Sequence, residues 1–231
     1  MDQPGLDPRA HTRALSGLSR LNLWSNSVGI LWPAIRDLSR RVNRRLRVLD
    51  VATGGGDIPI RLWQKAQRSG VGLDIAGCDL SPVALEHART RASQLGAEVT
   101  FFQHDIIRSQ IPDGYDIVVS SLFLHHLDEL QAVALLKQAS QSATHLVLIN
   151  DLRRSLMGLL LAVLASRFLT FSSVVRVDAP LSVRAAFTLP EAKELADKAG
   201  LMNAQVVPKW PFRFLLSWEK RQGTASGARS N

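Results

Sequence analysis

Apolar and polar positions along this chain follow two different rhythms. In the first 45 residues, leucine, tryptophan and isoleucine recur every three to four positions, as on one face of a helix. We expect residues 1–45 to form a helical segment, and because Pro33 disturbs the pattern, we expect a helix to break or begin near it. From residue 46 onward, short apolar runs alternate with amphipathic stretches, which predicts strands that alternate with helices.

Five apolar runs predict strands. They are LRVLDVA, GLDIAGCDL, EVTFFQH, YDIVVSS and HLVLIND. Their interiors are apolar throughout, as in parallel strands that are covered on both faces. Ser81 and Pro82 are typical of a helix N-cap and first turn, while Gly70 and Gly96 are typical of helix ends. The pattern therefore predicts an α/β fold with a parallel, doubly wound sheet.

The rhythm changes after the fifth predicted strand. The apolar stretch SLMGLLLAVLAS is shorter than the roughly 20 residues of a membrane span, and it predicts a buried or interfacial helix. Thr188 and Glu191 form a capping-box pattern that opens the helix LPEAKELADKA. Two short predicted strands, 204–207 and 212–218, are close enough to form a hairpin that adds an antiparallel edge. We expect the polar tail, residues 219–231, to be disordered.

Composition places the chain among ordinary globular proteins and narrows the classes of function. Its 231 residues are 46% hydrophobic and 21% charged, which fits a single domain with a substantial core. The single cysteine, Cys78, excludes a disulfide framework, and we expect no metal site. We expect neither a signal peptide nor a transmembrane segment, and a reducing cytoplasm is the predicted location.

The net charge is +8, and much of the excess lies in RDLSRRVNRRLR, residues 36–47, which contains six arginines. We call this segment the arginine cluster. Such a patch can bind nucleic acid or anionic lipid. No aromatic residues interleave with it, as a surface that stacks single-stranded bases would require. A solvated helix face ahead of the first core strand is the alternative, and we favour it.

A glycine-rich turn, VLDVATGGG, follows the first predicted strand. Gly54 to Gly56 lead into a helix N-terminus, where unpaired N–H groups and a positive dipole favour an anionic group of a ligand. A phosphate-binding P-loop would continue with Lys-Ser/Thr, but Asp57 and Ile58 follow, and Pro59 weakens a dinucleotide fingerprint. The remaining candidate carries both a carboxylate and an amine, as does the methionine moiety of S-adenosylmethionine.

Three acids end three successive predicted strands, namely Asp50, Asp79 and Asp105. Asp79 can accept hydrogen bonds from two ribose hydroxyls, and Asp105 can accept one from the exocyclic amine of an adenine. Each acid alone can equally cap a helix or face solvent. Their joint placement at one sheet edge favours a nucleoside-binding site.

Together these motifs resemble class I S-adenosylmethionine-dependent methyltransferases. LDVATGGGDIP resembles the first motif of that superfamily, GCDLSPVALEHAR the second, FFQHDI the third and YDIVVSSLFLHHL the fourth. The resemblance covers about residues 46–151 and looks closest to small-molecule enzymes of ubiquinone and menaquinone biosynthesis. It implies a Rossmann-like, mostly parallel seven-stranded sheet in a domain at 46–218. A helical N-terminal lid at 1–45 and a substrate-cap insertion at 152–188 would flank the site.

The resemblance also implies residue roles. Asp50 would hold the glycine loop and contact the methionyl amine, Asp79 would take the ribose hydroxyls, and Asp105 the adenine amine. The other cofactor positions that it implies are Ala52, Thr53, Gly54, Gly55, Gly56, Leu80, Ile106, Ser121 and Leu122. Ala52 stands where the family usually has its first glycine, and we expect a tolerated shift there. S-adenosylhomocysteine would be the product.

Methyl transfer from a sulfonium chiefly requires alignment and exclusion of water, and a general base is needed only if the acceptor loses a proton. His125 and His126 follow the fourth strand and are the candidate bases. Alternatively, one of them caps the next helix or packs under the loop. Asp151, Arg153 and Arg154 follow the fifth strand and either orient a polar acceptor group or form a surface ion pair.

The acceptor class can be narrowed. Enzymes that methylate amino groups of nucleic-acid bases or of glutamine often carry Asn/Asp-Pro-Pro-aromatic after strand four, and SSLF stands there instead. We expect the apolar helix at 156–164 and the segment with Trp24 and Trp32 to form a lid over an apolar, aromatic or polyketide-like acceptor.

Three interpretations stay open. We favour a small-molecule O- or C-methyltransferase. An RNA-modifying methyltransferase that uses the arginine cluster is second, and a non-catalytic binding protein of this fold is third. We do not expect a nucleic-acid partner, and we leave peripheral membrane contact and the oligomeric state open.

Overall fold

A computed structural model describes residues 26–155, residue 158 and residues 181–220. Seven strands form one sheet with helices on both faces. The strands are β1 (Leu46–Val51), β2 (Leu73–Asp79), β3 (Val99–Gln103), β4 (Tyr115–Ser121), β5 (Ala143–Leu152), β6 (Gln205–Lys209) and β7 (Arg213–Glu219). The helices are α1 (Ser27–Val42), α2 (Asp57–Arg68), α3 (Pro82–Gln94), α4 (Glu129–Ser142) and α5 (Leu189–Lys198), and a short 3₁₀ turn at Leu124–His126 follows β4.

The sheet combines five parallel strands with an antiparallel hairpin. Its order is β3-β2-β1-β4-β5-β7-β6, and β7 runs antiparallel to both β5 and β6. The predicted doubly wound, mostly parallel sheet with an antiparallel edge is therefore confirmed. The strand order reverses between β1 and β4, and the crevice outside the carboxyl ends of strands at such a point is where open α/β sheets bind ligands.

Two apolar layers cover the sheet. On one face, α1 and α2 pack over a layer that includes Val48 and Ile117. On the other face, α4 and α5 pack over a layer that includes Val51 and Val118. Side chains alternate along a strand, so residues two positions apart point to the same face of the sheet. A polar residue near the end of a strand therefore lies on the same face as the apolar residue two positions before it. The two layers thus decide which functional groups meet at the carboxyl edge.

The helix-start signals read from the sequence are confirmed. The Ser81 hydroxyl accepts a hydrogen bond from the Ala84 backbone N–H at 3.2 Å at the start of α3. Thr188 and Glu191 form the predicted capping box at the start of α5. Both signals are local, because the groups involved lie within one helical turn of each other. Local chemistry therefore suffices to place these two helices.

Pro33 does not break the N-terminal helix. The helix α1 runs over Ser27–Val42 with Pro33 inside it. Leu31 and Ile35 are fully buried on either side of the proline, in the layer shared with α2. This packing offsets an interior proline, which costs an exposed helix about 3 kcal/mol.

Several predicted segments lie outside the described residues. They are residues 1–25, most of the predicted cap insertion at 152–188 (residues 156–180 apart from 158, including the apolar stretch), and residues 221–231. None of the described helices is long and apolar enough to cross a membrane.

Candidate functional site

The glycine loop after β1 has an unusual backbone. Ala52, Gly54 and Gly56 have φ values of 55°, 54° and 75°, in the left-handed region. A Cβ atom on Gly56 would lie 2.8 Å from the Ala88 Cβ and 2.9 Å from the Phe101 ring, whereas one on Gly54 would meet no atom within 4 Å. Gly56 is thus required by packing, while Gly54 borders open space above the loop.

Ala52 has the backbone conformation that glycine adopts freely. A non-glycine residue there costs about 1–2 kcal/mol. The fold retains the turn because the next residue is fixed: the Thr53 backbone N–H donates to the Cys78 carbonyl of β2 at 2.9 Å. Ala52 is thus accommodated at a left-handed position in the loop, and its effect on cofactor binding stays a prediction.

Asp50 is buried beneath the loop. The Thr53 hydroxyl donates a hydrogen bond to the Asp50 Oδ2 at 2.6 Å, and Asp50 is only 3% exposed. Burial raises the pKa of Asp50 to about 7. The hydrogen bond from Thr53 lowers this pKa, and the nearby negative charge of Asp79 raises it by a smaller amount. A cation placed beside this carboxyl group would therefore favour its ionised form near neutral pH.

Asp79 ties the loop to the end of β2. Its Oδ2 accepts from the Gly54 backbone N–H at 2.8 Å, and its Oδ1 accepts from the Ser81 N–H at 2.9 Å. The carboxylate is thereby held in one orientation at the position predicted for a ribose. Leu80, next in the chain, is 60% exposed, an apolar surface well suited to a planar ring.

Asp105 caps a turn as well as lying at the predicted adenine position. Its Oδ1 accepts from the backbone N–H groups of Ile107 and Arg108 at 3.0 and 3.1 Å. Its Oδ2 lies 3.9 Å from the Arg108 Nε. Ile106 is buried beside it. The capping role accounts for one carboxylate oxygen and leaves the other available to a ligand.

Polar side chains extend along the α1 face of the carboxyl edge. Asp50, Ser121, Asn150 and Arg213 each lie two residues from an apolar member of the layer under α1, and we call them the polar row. The Asn150 Nδ2 donates to the Ser121 Oγ at 3.3 Å, and the Arg213 Nη1 donates to the Ser27 Oγ of α1 at 2.7 Å. The row thus places one polar side chain near the carboxyl edge on each of four neighbouring strands, β1, β4, β5 and β7.

Sequence reasoning missed Asn150 and Arg213. Asn150 is fully buried, and its Oδ1 has no hydrogen-bond partner among the described residues. Arg213 is 4% exposed. The sequence RFLLSWE does contain a signal for a buried arginine, because Arg213 is two positions from the buried Leu215 and so points to the same face of the strand. Its use required knowing that β7 enters the sheet beside β5.

His125 and Asp151 form a buried pair. The His125 Nδ1 lies 2.6 Å from the Asp151 Oδ1, and the two side chains are 5% and 1% exposed. The Leu152 N–H also donates to Asp151 Oδ1 at 2.6 Å. Burial alone would raise the pKa of Asp151, but His125, the Leu152 hydrogen bond and the charge of Arg213 together hold it below its usual value. Asp151 thus belongs to a buried histidine pair and not to a surface ion pair.

The other candidate acceptor-site residues take different environments. His126 is exposed, with its ring centroid 4.1 Å from that of His125. Arg153 is half-buried and its Nε has no partner among the described residues, while Arg154 pairs with Glu191 at the surface. Trp24 lies outside the described residues.

Trp32 lies in the core, whereas the sequence predicts it in a lid. It is 6% exposed and packs in the layer between α1 and α2, with the Lys65 Nζ 6.0 Å from its ring centroid. The helical spacing of Trp32 reflects the buried face of α1. That helix covers the sheet and does not present this tryptophan to the site.

The arginine cluster is largely engaged within the fold. Arg44 forms a bidentate pair with Asp116, with both N–O distances 2.7 Å. Pairs or ring contacts are also made by Arg36 with Asp37, Arg41 with Glu219, Arg45 with Asp74, and Arg47 with the Tyr115 ring. A crevice of about 1050 Å³ beside Arg41 and Arg44 opens at the opposite, amino-terminal edge of the sheet. The cluster is therefore remote from the glycine loop.

Residues 48–144 match a family model described as a methyltransferase domain. The chain is 34% identical over 106 residues to a demethylmenaquinone methyltransferase of Deinococcus radiodurans, which covers 45% of this chain and 42% of that protein. It is 38% identical over 68 residues to the protein of that name in Thermus thermophilus, 29% of each chain. A release factor glutamine methyltransferase of Bacillus subtilis is 37% identical over 79 residues, 33% of this chain and 26% of that one. The chain thus spans less than half the length of these curated relatives.

Solved structures share the fold. An S-adenosylmethionine-dependent methyltransferase of Aquifex aeolicus has a TM-score of 0.61 and 17% identity, over 93% of this chain and 98% of that one. The magnesium protoporphyrin IX methyltransferase of Synechocystis, crystallised with S-adenosylhomocysteine, has a TM-score of 0.59 and 18% identity, over 96% and 90%. At this identity the likeness establishes the architecture of the whole sheet and its helices.

Proposed function

We propose that this chain, which carries a methyltransferase domain on the class I S-adenosylmethionine-dependent methyltransferase fold, methylates an oxygen or carbon atom of a small acceptor. The observation that carries the proposal is the buried His125–Asp151 pair, at the same sheet edge as the glycine loop. In this proposal the glycine loop binds the cofactor, and the His125–Asp151 pair removes a proton from the acceptor.

The residues of the loop fit S-adenosylmethionine. Open space above Gly54 leaves room for the methionyl chain, and the buried Asp50 carboxyl group suits its ammonium. Asp79 would bind the ribose hydroxyls and Asp105 the adenine amine, with the exposed Leu80 against the ring. When bound, the cofactor supplies a methyl group already activated on a sulfonium.

His125 is suited to act as the general base. Asp151 holds its Nδ1, which favours the tautomer with the proton on Nδ1 and a free electron pair on Nε2. Nε2 would take the proton from the acceptor hydroxyl or acidic carbon as that atom bonds to the methyl carbon. Asp50, Asp79 and Asp105 would hold the cofactor, which would supply the methyl group from its sulfonium and would remain as neutral S-adenosylhomocysteine.

A small acceptor with apolar or aromatic character fits the sequence at this edge. SSLF after β4 departs from the Asn/Asp-Pro-Pro-aromatic pattern of amino-methylating enzymes, although the chain also resembles a glutamine methyltransferase over part of its length. The names of the demethylmenaquinone and magnesium protoporphyrin relatives describe small-molecule acceptors. We propose that the segment that precedes α1, with Trp24, and residues 152–188 cover such an acceptor.

The first experiment is isothermal titration of S-adenosylhomocysteine into wild-type protein and the Asp79→Ala variant, with NADH as a control ligand. We expect micromolar binding to the wild type and a loss of roughly tenfold or more in the variant, because two charge-assisted hydrogen bonds disappear. Binding of NADH with no binding of S-adenosylhomocysteine would overturn the proposal.

The second experiment tests the base with two adjacent histidines. Radiolabelled S-adenosylmethionine is combined with phenolic and quinone-like acceptors, and the turnover found is compared for His125→Gln and His126→Gln. We expect kcat to fall by about 10²–10⁴ in His125→Gln, the usual contribution of a general base, and to change little in His126→Gln. Equal effects in the two variants would remove His125 from that role.

A further inference from the structure

Arg213 is a buried cation without a direct carboxylate partner in the described part of the chain. It is 4% exposed, and its Nη1 donates to the Ser27 hydroxyl at 2.7 Å. Asp151 acts on it through space, but the described acids make no ion pair with its guanidinium. The remaining N–H groups of the guanidinium fork are therefore available to an anion.

An arginine in this environment is costly unless something compensates it. Burial lowers the pKa of Arg213 to about 10, although the negative charge of Asp151 raises it in part. The guanidinium therefore remains protonated at neutral pH. A buried charge needs a hydrogen-bonded counter-ion to offset the loss of hydration. A ligand with an anionic oxygen would supply the missing pair, and the planar fork of arginine is suited to bind it through two donors.

The position of Arg213 separates it from the cofactor loop. Going from β1 to β7 crosses β4 and β5, three strand spacings of about 4.8 Å each, or roughly 14 Å. Arg213 lies opposite Leu152, just beyond Asn150 on β5. An anion bound to Arg213 would therefore lie away from the glycine loop, where we propose the methionyl end of the cofactor, and nearer the proposed acceptor.

Asn150 adds a second recognition group on the same face. It lies opposite Leu215, which makes Arg213 its diagonal neighbour across the β5–β7 pair. Its fully buried Oδ1 has no hydrogen-bond partner among the described residues, an arrangement that costs about 1–3 kcal/mol. This carbonyl oxygen calls for a donor, such as a hydroxyl group of a ligand.

We propose that Arg213 determines acceptor specificity by binding an anionic oxygen of the acceptor, a carboxylate or an ionised phenol or enol, with Asn150 accepting from a neighbouring hydroxyl. The inference rests on the proposed function and names its substrate class as hydroxylated acids. Asp151 continues the layer under α4 and α5, whereas Arg213 continues the layer under α1. An acceptor that reaches over the carboxyl edge of the sheet could therefore give its proton to His125 while Arg213 balances its negative charge.

The test uses benzoate and benzamide, which share a shape and differ in charge. Full-length protein with ¹⁵N-labelled arginine is titrated with each probe in the presence of saturating S-adenosylhomocysteine. The Nε–H signal of Arg213 is assigned by its loss in Arg213→Lys. We expect a saturable shift with benzoate, at least roughly tenfold tighter than with benzamide, while the signal of the surface-paired Arg154 stays in place. No saturable shift with benzoate, or an equal response to benzamide, would overturn the proposal.

The Arg213→Met variant separates the acceptor from the cofactor. We expect it to lose the preference for benzoate and to bind S-adenosylhomocysteine as the wild type does. A matching loss of S-adenosylhomocysteine affinity would assign the anion to the cofactor and overturn the inference. If the variant does not fold, the wild-type titration decides alone. If S-adenosylhomocysteine fails to bind the wild type, the methyltransferase proposal fails, and the Arg213 response is then read in cofactor-free protein.

Discussion

At the scale of single residues, the loop glycines have different reasons to be glycine. Gly56 is surrounded by Ala88 and Phe101, so a side chain there has no room. Gly54 borders open space, so only its left-handed backbone, and the cofactor that we propose to bind there, disfavour a side chain. We therefore expect stability to depend mainly on Gly56 and cofactor binding mainly on Gly54, two positions that can be varied separately.

Alanine at each position should separate these two effects. We expect Gly56→Ala to lower the free energy of unfolding by about 2–3 kcal/mol, because overpacking adds to backbone strain. Gly54→Ala should cost only about 1–2 kcal/mol of stability but weaken S-adenosylhomocysteine binding roughly tenfold or more, since the methyl group enters the ligand space. Urea denaturation and calorimetric titration measure the two quantities. Equal losses of stability would contradict this division.

Asp50 should couple cofactor binding to pH. The pKa of Asp50 in the folded protein is about 7, above the ordinary 3.8. Between about pH 4 and 7 the unfolded chain loses this proton while the folded protein keeps it. In the absence of cofactor, the stability of the fold therefore falls as the pH rises through this range. A bound ammonium group favours the ionised form, so binding near pH 6.5 should release protons. Titration in buffers of different ionisation enthalpy measures this release. Asp50→Asn should abolish it, and Asp105→Asn should retain it.

Local sequence motifs predict part of the candidate site, whereas the other contacts depend on how the strands pair and cannot be read from the sequence. Asp50, Asp79 and the glycine loop form contacts within or between adjacent predicted strands, so their sequence context indicated a shared role. The pairing of His125 with Asp151, 26 residues apart, and the place of Arg213 depend on the register of β5 with its neighbours. Propensity alone carries no such register information.

At the scale of elements, one carboxylate joins the amino ends of three central strands. Asp116 on β4 accepts from Arg44 at 2.7 Å, from the Arg47 backbone N–H of β1 at 2.9 Å and from the Thr144 hydroxyl of β5 at 3.0 Å. Burial alone would raise the pKa of Asp116, but these donors, Arg44 first, lower it to about 2. The arginine cluster thus anchors the connection from α1 into the sheet.

Removal of this charge should show in the acid stability of the fold. Since the folded pKa lies below the ordinary 3.8, ionised Asp116 stabilises the protein above about pH 4, and this stabilisation is lost as the pH falls towards 2. We expect Asp116→Asn to lower the free energy of unfolding at pH 7 by about 1.5–3 kcal/mol and to flatten its decline in acid.

The matched control is Asp74→Asn, which removes the exposed partner of Arg45 and should cost less than about 1 kcal/mol. Denaturant unfolding between pH 2 and 7 measures both variants. An unchanged acid limb in Asp116→Asn would show that Asp116 does not bind its donors as described.

At the scale of the whole molecule, the chain has a net charge of +8, and much of the excess comes from the arginine cluster. Pairing within the fold leaves this cluster with less free positive charge than its sequence indicates. Five arginines of the cluster contact acids or a ring within the fold. Binding to RNA would have to compete with these contacts at an edge remote from the glycine loop.

We therefore expect only weak, non-specific RNA binding. Fluorescence anisotropy with a labelled RNA hairpin should give a Kd of about 10⁻⁴–10⁻⁶ M near physiological salt that weakens steeply as salt is added. Arg40→Ala and Arg68→Ala, which change arginines inside and outside the cluster, should weaken it alike. Nanomolar affinity that only Arg40→Ala removes would favour the RNA-modifying interpretation.

The direction of β7 also has a practical consequence for handling the protein. Because β7 starts beside Leu152 at the carboxyl edge of the parallel strands and ends beside Leu146, the backbone at Glu219 lies at the opposite edge of the sheet. Since the described chain ends at Lys220 on the side facing away from the glycine loop, we expect a carboxyl-terminal handle or reporter to leave the site accessible. The opposite choice, insertion into the turn between β6 and β7, would place foreign sequence where we propose that acceptors enter.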